Sequence, residues 1–337
     1  MIDDGPDVFA SEFQQQPLAD TAQQTALTQA EVRGRAVEVP RWIVPRGCDT
    51  LTAFVDVQEA VLYWLVAAWG HQLRGHVVAY GTYPGHVVAY GTYPEQTASY
   101  YTLRDVKKTL AKAAGGASLE AAIAAGLEAV AADLLDREFA RENDDAVLRV
   151  GQLLVDANWA RSTGVVRDFA RRSRWGPRVL PGHGRFVGAS SSMLTDRKPD
   201  KGERVGSNWR TSTIGKQRHI LYDTNAWKSL VAARVKLPTA DVQSLTVHAG
   251  GHEMLAEQWS AEYPVRVEAR GRTVDEWRLI PGRDNHWWDC IVGSAVAASF
   301  IGVSAVGAES KPAVQRKVIS REEMAAKRAA LLAKLGR

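Results

Sequence analysis

The spacing of apolar positions changes several times along the chain, and each change marks an element. Residues 51–58 (LTAFVDVQ) and 60–70 (AVLYWLVAAWG) are short β-prone runs with only Glu59 near the turn between them, which predicts a hairpin. The decapeptide GHVVAYGTYP then occurs twice in succession, at residues 75–84 and 85–94. Each copy has a strand-like HVVAY followed by a GTYP turn. One copy is expected to supply a third strand, the other a longer hairpin extension or an insertion tolerated at a sheet edge. Because ten is even, the duplication preserves the inward and outward alternation of a strand. Residues 103–139 have a helical character, broken at Gly115-Gly116 and most amphipathic from Ser118 onward. Residues 147–155 (VLRVGQLLV) predict a strand that ends in Asp156, and 163–173 predict a helix. Residues 181–215 are rich in Gly, Ser and Arg without a clear period and read as a long functional loop or an insertion. A short strand at 220–222 precedes a helix with Thr224 as its N-cap, running through Val235. Strand-like pieces at 265–269 and 274–280 meet at a Gly271 turn, and an apolar helix follows Asp289.

These elements divide the chain into a polar lead-in (1–50), one domain (51–308) and a basic tail (309–337). From Lys311 to Arg337, eight Lys and Arg stand against Glu322 and Glu323, and Ser320 with Glu323 forms a capping-box pattern. At 337 residues with 45% hydrophobic and 24% charged positions, the chain can bury a substantial core without staples. Cys48 and Cys290 are isolated, which argues against a disulfide framework or a zinc ribbon and suits a reducing cytoplasm. The acidic start lacks the apolar core of a signal peptide. The uncharged stretch 290–308 is rich in Gly, Ala and Ser, so it reads as a buried helix rather than a membrane span. The net charge of +4 hides an asymmetry, since residues 159–218 carry 14 Lys and Arg against 4 Asp and Glu. With Trp159, Trp175, Phe186 and Trp209 interleaved, this segment suits a phosphate backbone, the competing reading being a solvated basic face. Arg161, Arg167, Arg171, Arg172 and Arg174 are the candidate contacts to double-stranded DNA.

Three carboxylates stand out by their setting. Asp56 interrupts an apolar strand (AFVDVQ), Asp156 ends another (LLVDANW), and Asp289 opens an apolar helix (NHWWDCIVGSAVAAS). Taken singly, each has an ordinary explanation, as a hairpin bend, a strand-end turn and a helix N-cap respectively. Burying a lone charge in a strand nevertheless costs several kcal/mol unless it is paired or bound to a metal. If the first two strands are parallel neighbours about 4.8 Å apart, Asp56 lies beside Asp156. That separation suits two divalent ions roughly 3.5–4 Å apart. Asp289, on a helix whose Gly293 allows close approach to the sheet, would complete the set. Hard oxygen donors without cysteine point to Mg²⁺ or Mn²⁺.

The order of strand–Asp, two antiparallel strands, helix, strand–Asp, insertion and helix–Asp resembles the ribonuclease-H-like nucleases. Within them, the chain resembles the nuclease domain of phage terminase large subunits of the lambdoid GpA type over about residues 7–305. FVDVQ (54–58), the WG at 69–70, LLVDANW (153–159), the block from Trp277 through Asn285 to Asp289, AVAAS (295–299) and the lead-in FASEFQQQPL (9–18) carry the resemblance. It implies a mixed sheet flanked by helices and a two-metal hydrolysis of duplex DNA during genome packaging in the host cytoplasm. Asp56 would bridge both ions, with Asp156 and Asp289 each completing one coordination sphere. It also implies a small terminase subunit and a portal protein as partners. No GxxxxGK[ST] loop occurs, so the family's ATPase motif is missing from this sequence, and a separate ATPase chain is one candidate partner. His286 stands where an acidic residue is expected beside Asn285; a non-ligand role is favoured over a ligand or proton donor. The rival readings are another ribonuclease-H-like enzyme, such as a junction resolvase or transposase core, and a catalytically idle prophage remnant that binds DNA or a packaging partner.

Overall fold

The computed structural model describes residues 26–70, 85–143 and 145–303. In chain order the elements are α1 (Gln29–Arg33), β1 (Thr50–Val57), β2 (Leu62–Trp69), β3 (Gly85–Tyr93), α2 (Leu110–Ala113), α3 (Leu119–Leu135), β4 (Phe139–Ala140), β5 (Val147–Leu148) and β6 (Val150–Asp156). They continue with α4 (Ala160–Arg172), a 3₁₀ turn (Gly176–Arg178), β7 (Val179–Arg185), β8 (Val205–Gly206), β9 (Trp209–Ile214), β10 (Gln217–Asp223) and α5 (Thr224–Lys236). Last come β11 (Leu245–Val247), α6 (Glu253–Trp259), β12 (Glu262–Ala269), β13 (Arg272–Leu279) and α7 (His286–Phe300).

Among the described residues, nine strands form one mixed sheet in the order β11-β3-β2-β1-β6-β7-β10-β9-β8. The hairpin expected at 51–70 is present, with β1 antiparallel to β2 and β2 antiparallel to β3. β1, β6, β7 and β10 run parallel to one another in that order. This antiparallel meander followed by parallel strands, with helices on both faces, is the expected ribonuclease-H-like architecture. The second copy of GHVVAYGTYP supplies β3, while the first lies outside the described residues. The tail from residue 304 onward, with its Ser320 cap, also lies outside them.

Strand alternation sorts the core onto two sides. Phe54, Tyr63, Leu65, Leu154 and Leu180 face α7, whereas Ala53, Val55, Val66, Leu153 and Val155 face α3 and α4. The helix α7 packs on β1, β2 and β6 and is covered in turn by α5 and α6. That enclosure explains why it is apolar all round, and no helix among the described residues is long and apolar enough to cross a membrane. Gly293 is what seats it. A Cβ built there would lie 1.9 Å from Phe54 Cδ2, so only a hydrogen fits between helix and strand. Beside it, Thr52 Oγ1 donates to the Ser294 carbonyl at 2.9 Å and accepts from Trp69 Nε1 at 2.7 Å, forming a buried polar seam.

Several boundaries differ from the pattern-based expectation, each for a local reason. Residues 103–109 are not helical: the Gln96 carboxamide oxygen accepts from the Lys107 and Lys108 N–H groups, and Asp284 Oδ2 accepts from Leu103 N at 2.7 Å. Gly115 and Gly116, at φ +65° and +80°, separate α2 from α3. The stretch 181–215 contains most of β7 and all of β8 and β9 rather than one loop. Pro181, Gly182 and Gly184 suggest a turn, yet here they form a central strand whose small residues lie under Phe54 and Tyr222. Asp223, not Thr224, caps α5, its Oδ1 accepting from Asn225 N at 3.0 Å and Ala226 N at 3.2 Å. The final helix starts at His286, three residues before Asp289.

Candidate active site

The parallel pairing of β1 with β6 aligns Val55 with Val155, so the next residues, Asp56 and Asp156, stand at the same level of the sheet. Each follows an α7-facing residue by two, Phe54 and Leu154, so each is directed to the α7 side. Asp289 lies in the first turn of α7. The structure thus brings all three carboxylates to one end of the sheet on one face. Asp56 is buried, while Asp156 and Asp289 are half-buried and keep the site open to solvent.

The electrostatics follow from this convergence. Burial pushes the Asp156 carboxyl well above the usual carboxylate range, and the charges of Asp56 and Asp289 push it further in the same direction. Its opposing contacts are weak, the Asn158 N–H lying 3.4 Å from both oxygens. Surrounding protein likewise raises Asp289, to about 6, against the pull of Lys228 and with the push of Glu262 and Asp56. Asp56 Oδ2 accepts from Gln58 Nε2 at 3.0 Å and lies 2.8 Å from His286 Nδ1. The His286 ring stacks on Tyr63 with centroids 4.4 Å apart. Burial alone would lower the His286 pKa, but the hydrogen bond and charge of Asp56 prevail and raise it. His286 therefore buttresses Asp56 through Nδ1.

A family model described as terminase large subunit gpA, endonuclease domain, matches residues 9–310. The chain belongs to this family. That membership places it among the endonuclease domains of phage DNA-packaging terminases. No curated protein and no solved structure gives a significant match.

In this gpA-family nuclease the site includes residues that the sequence pattern did not single out. Lys228 of α5 is buried, with Nζ 2.6 and 2.8 Å from the Glu262 oxygens and 3.0 Å from Asp289 Oδ1. Desolvation opposes its charge, yet Asp289 and Glu262 together hold its pKa above the usual lysine value. Asn285 Nδ2 donates to Glu262 Oε1 and, at 3.1 Å, to Asp289 Oδ2. A lysine in an amphipathic helix and a glutamate opening a strand look like ordinary surface residues in sequence. Their burial was the missing signal.

The donor chemistry fits a hard divalent cation: oxygen ligands, converging negative charge, and an Asp156 with little internal compensation. Among the described residues, however, no three His, Cys, Asp or Glu side chains close into a ready-made metal cage. Asp56 and Asp289 are instead turned toward His286, Gln58, Lys228 and Asn285.

The candidate DNA contacts lie along α4 and just beyond it. Arg161 is exposed at the end next to Asp156, facing Glu59 at 3.7 Å. Arg172 is exposed about 16 Å further along the helix axis at 1.5 Å per residue. Arg167 is half-buried with its Nε unpartnered. Arg171 pairs with Asp168 at 2.6 Å. Arg174 bonds to Asp136 at 2.6 Å and lies over the Trp175 ring, tying the end of α4 to the end of α3.

Proposed function

We propose that this chain is a divalent-metal-dependent endonuclease that hydrolyses phosphodiester bonds of double-stranded DNA during phage genome packaging. The convergence of Asp56, Asp156 and Asp289 at one end of two adjacent parallel strands carries the reading. These three residues would hold Mg²⁺ or Mn²⁺, which when bound supplies Lewis acidity toward the phosphate and its attacking water. Asp56 is kept at a fixed orientation by Gln58 and His286. Asp156, with few partners of its own, is the acid most available to a cation. The half-exposed rim at Asp156 and Asp289 admits a phosphate, while Tyr63 and the start of α7 wall off the opposite side. The small terminase subunit, the portal protein and a separate ATPase chain are the proposed partners, in the host cytoplasm.

Purified protein should nick and then linearise supercoiled plasmid with Mg²⁺, stop in EDTA, and recover with Mn²⁺ at least as well as with Mg²⁺. Tight duplex binding with no metal-dependent cut under any of these conditions would identify an idle remnant instead.

Phosphate contacts are assigned to the exposed arginines of α4. Arg161→Ala and Arg172→Ala should each reduce the slope of log K against log salt by about 0.9, as expected for one lost phosphate contact. Arg174→Ala should leave that slope in place and lower thermal stability slightly, because this side chain is committed to Asp136 and Trp175. Fluorescence anisotropy across a salt series checks both statements, and equal slopes in all three variants would move the duplex off α4.

A further inference from the structure

We propose that Lys228, Glu262 and Asn285 form a clamp that positions Asp289, an inference that rests on the nuclease reading above. The acids Asp56 and Asp156 are fixed by the ladder of the central sheet, but Asp289 rides on a helix and needs separate anchoring. It receives two donors, one on each oxygen: Lys228 Nζ at 3.0 Å on Oδ1 and Asn285 Nδ2 at 3.1 Å on Oδ2. Both donors also bind Glu262, with Lys228 reaching both of its oxygens. Glu262 is buried, whereas Asp289 is half-buried. Glu262 acts as the fixed post to which the two donors are tied.

The four residues come from α5, the start of β12 and the start of α7, so the clamp joins three separate elements at one carboxylate. Asn285 occupies the N-cap position of α7 but makes no side-chain cap hydrogen bond. Its side-chain amide donates to the two acids, so this side chain serves the carboxylate rather than the helix. With both oxygens of Asp289 held, the carboxylate has one orientation to offer a cation. Lys228 and Glu262 cancel in charge, so the clamp sets direction without changing the negative charge that attracts a metal. Lys228, Glu262 and Asn285 are thus positioning residues, acting through Asp289.

Two variants separate orientation from charge and from folding. Asn285→Ala removes one donor from a half-exposed position without touching a cap bond. The pair Lys228→Met with Glu262→Gln removes a buried cation and its buried counter-charge together, so neither is left alone. Isothermal titration with Mn²⁺ should show affinity weakened by about 10–100-fold, the usual consequence of losing an outer-sphere partner. The turnover number should fall by a similar factor while KM for duplex DNA stays put. Lys228→Arg, which keeps a cation against Glu262, should retain more affinity than the double variant. Wild-type Mn²⁺ affinity and turnover in both Asn285→Ala and the double variant would overturn the clamp. If the double variant does not fold, Asn285→Ala decides alone. Failure of the unaltered protein to take up Mn²⁺ would overturn the nuclease reading and the clamp with it.

Discussion

Replacing Asp156 with Asn should abolish cleavage and, at the same time, raise the melting temperature of the metal-free protein. The two effects share one cause. Burial and the charges of Asp56 and Asp289 raise the Asp156 pKa in the folded state, so between the ordinary carboxylate value and that raised value the folded chain binds more protons than the unfolded one. Stability is then lost as pH rises through that window, so ionising this carboxyl in the fold is a net penalty. Asn keeps the shape and removes the penalty. Each kcal/mol regained corresponds to about 2–4 °C in a domain of 150–250 residues, so calorimetry at pH 7 should show an upward shift of a few degrees. Activity should move the other way. Loss of an outer partner costs about 10–100-fold, and loss of a carboxylate that itself faces the cation should exceed that. Asp56→Asn and Asp289→Asn should also abolish cleavage. Near-normal cutting by any of the three variants would remove that residue from the site, and a lowered melting temperature for Asp156→Asn would mean that its charge is compensated in the fold.

The second large effect is expected at Gly293, where the cause is steric rather than electrostatic. A methyl group at this position would meet the Phe54 ring at 1.9 to 2.6 Å, between a strand and a helix that are both fully packed. The atoms it meets all belong to the Phe54 ring, which is itself buried and packed, so Gly293→Ala should push α7 off β1. Overpacking of this kind typically costs about 1–3 kcal/mol, which at about 2–4 °C per kcal/mol lowers the melting temperature by several degrees. Because Asp289 is one turn away on the same helix, cleavage should fall as well, even at temperatures where the variant is folded. Phe54→Leu combined with Gly293→Ala should restore part of the lost stability, since the smaller side chain makes room. A Gly293→Ala variant as stable as the parent would show that α7 is not seated by that contact.

The hairpin of β1 and β2, the strand ending at Asp156 and the apolar final helix were legible because their apolar runs are long and their ends are marked by polar residues. Asp56, Asp156 and Asp289 were legible for the complementary reason, each being a charge where burial makes charge expensive. The strand β7 was not, because VLPGHGR is composed of turn formers; its place in the sheet comes from neighbours that need small residues beneath them. Lys228 and Glu262 were equally hidden. Each is unremarkable in its own segment, and only the packing of α5 against β12 and α7 buries the two together. The basic stretch was visible as charge, but sequence could not separate Arg174, tied to Asp136 and Trp175, from the exposed Arg161.

The tandem GHVVAYGTYP has a consequence for how this chain finds its native pairing. Cutting out residues 75–84 and cutting out residues 85–94 yield one and the same polypeptide, so the side chains of β2 cannot tell the copies apart. The structure pairs the second copy, with Gly85 opposite Trp69 and Tyr93 opposite Leu62. Selecting the other copy would exchange no contact between β2 and β3; it would only transfer ten residues from the connection before β3 to the one after it. Changes of loop length of that size alter closure free energy by about 1 kcal/mol. The chain therefore carries a built-in ambiguity of threading that β2 cannot resolve; what separates the copies is connection length and the residues that follow, since Gln96, just past the second copy, donates to the Pro94 carbonyl at 2.9 Å.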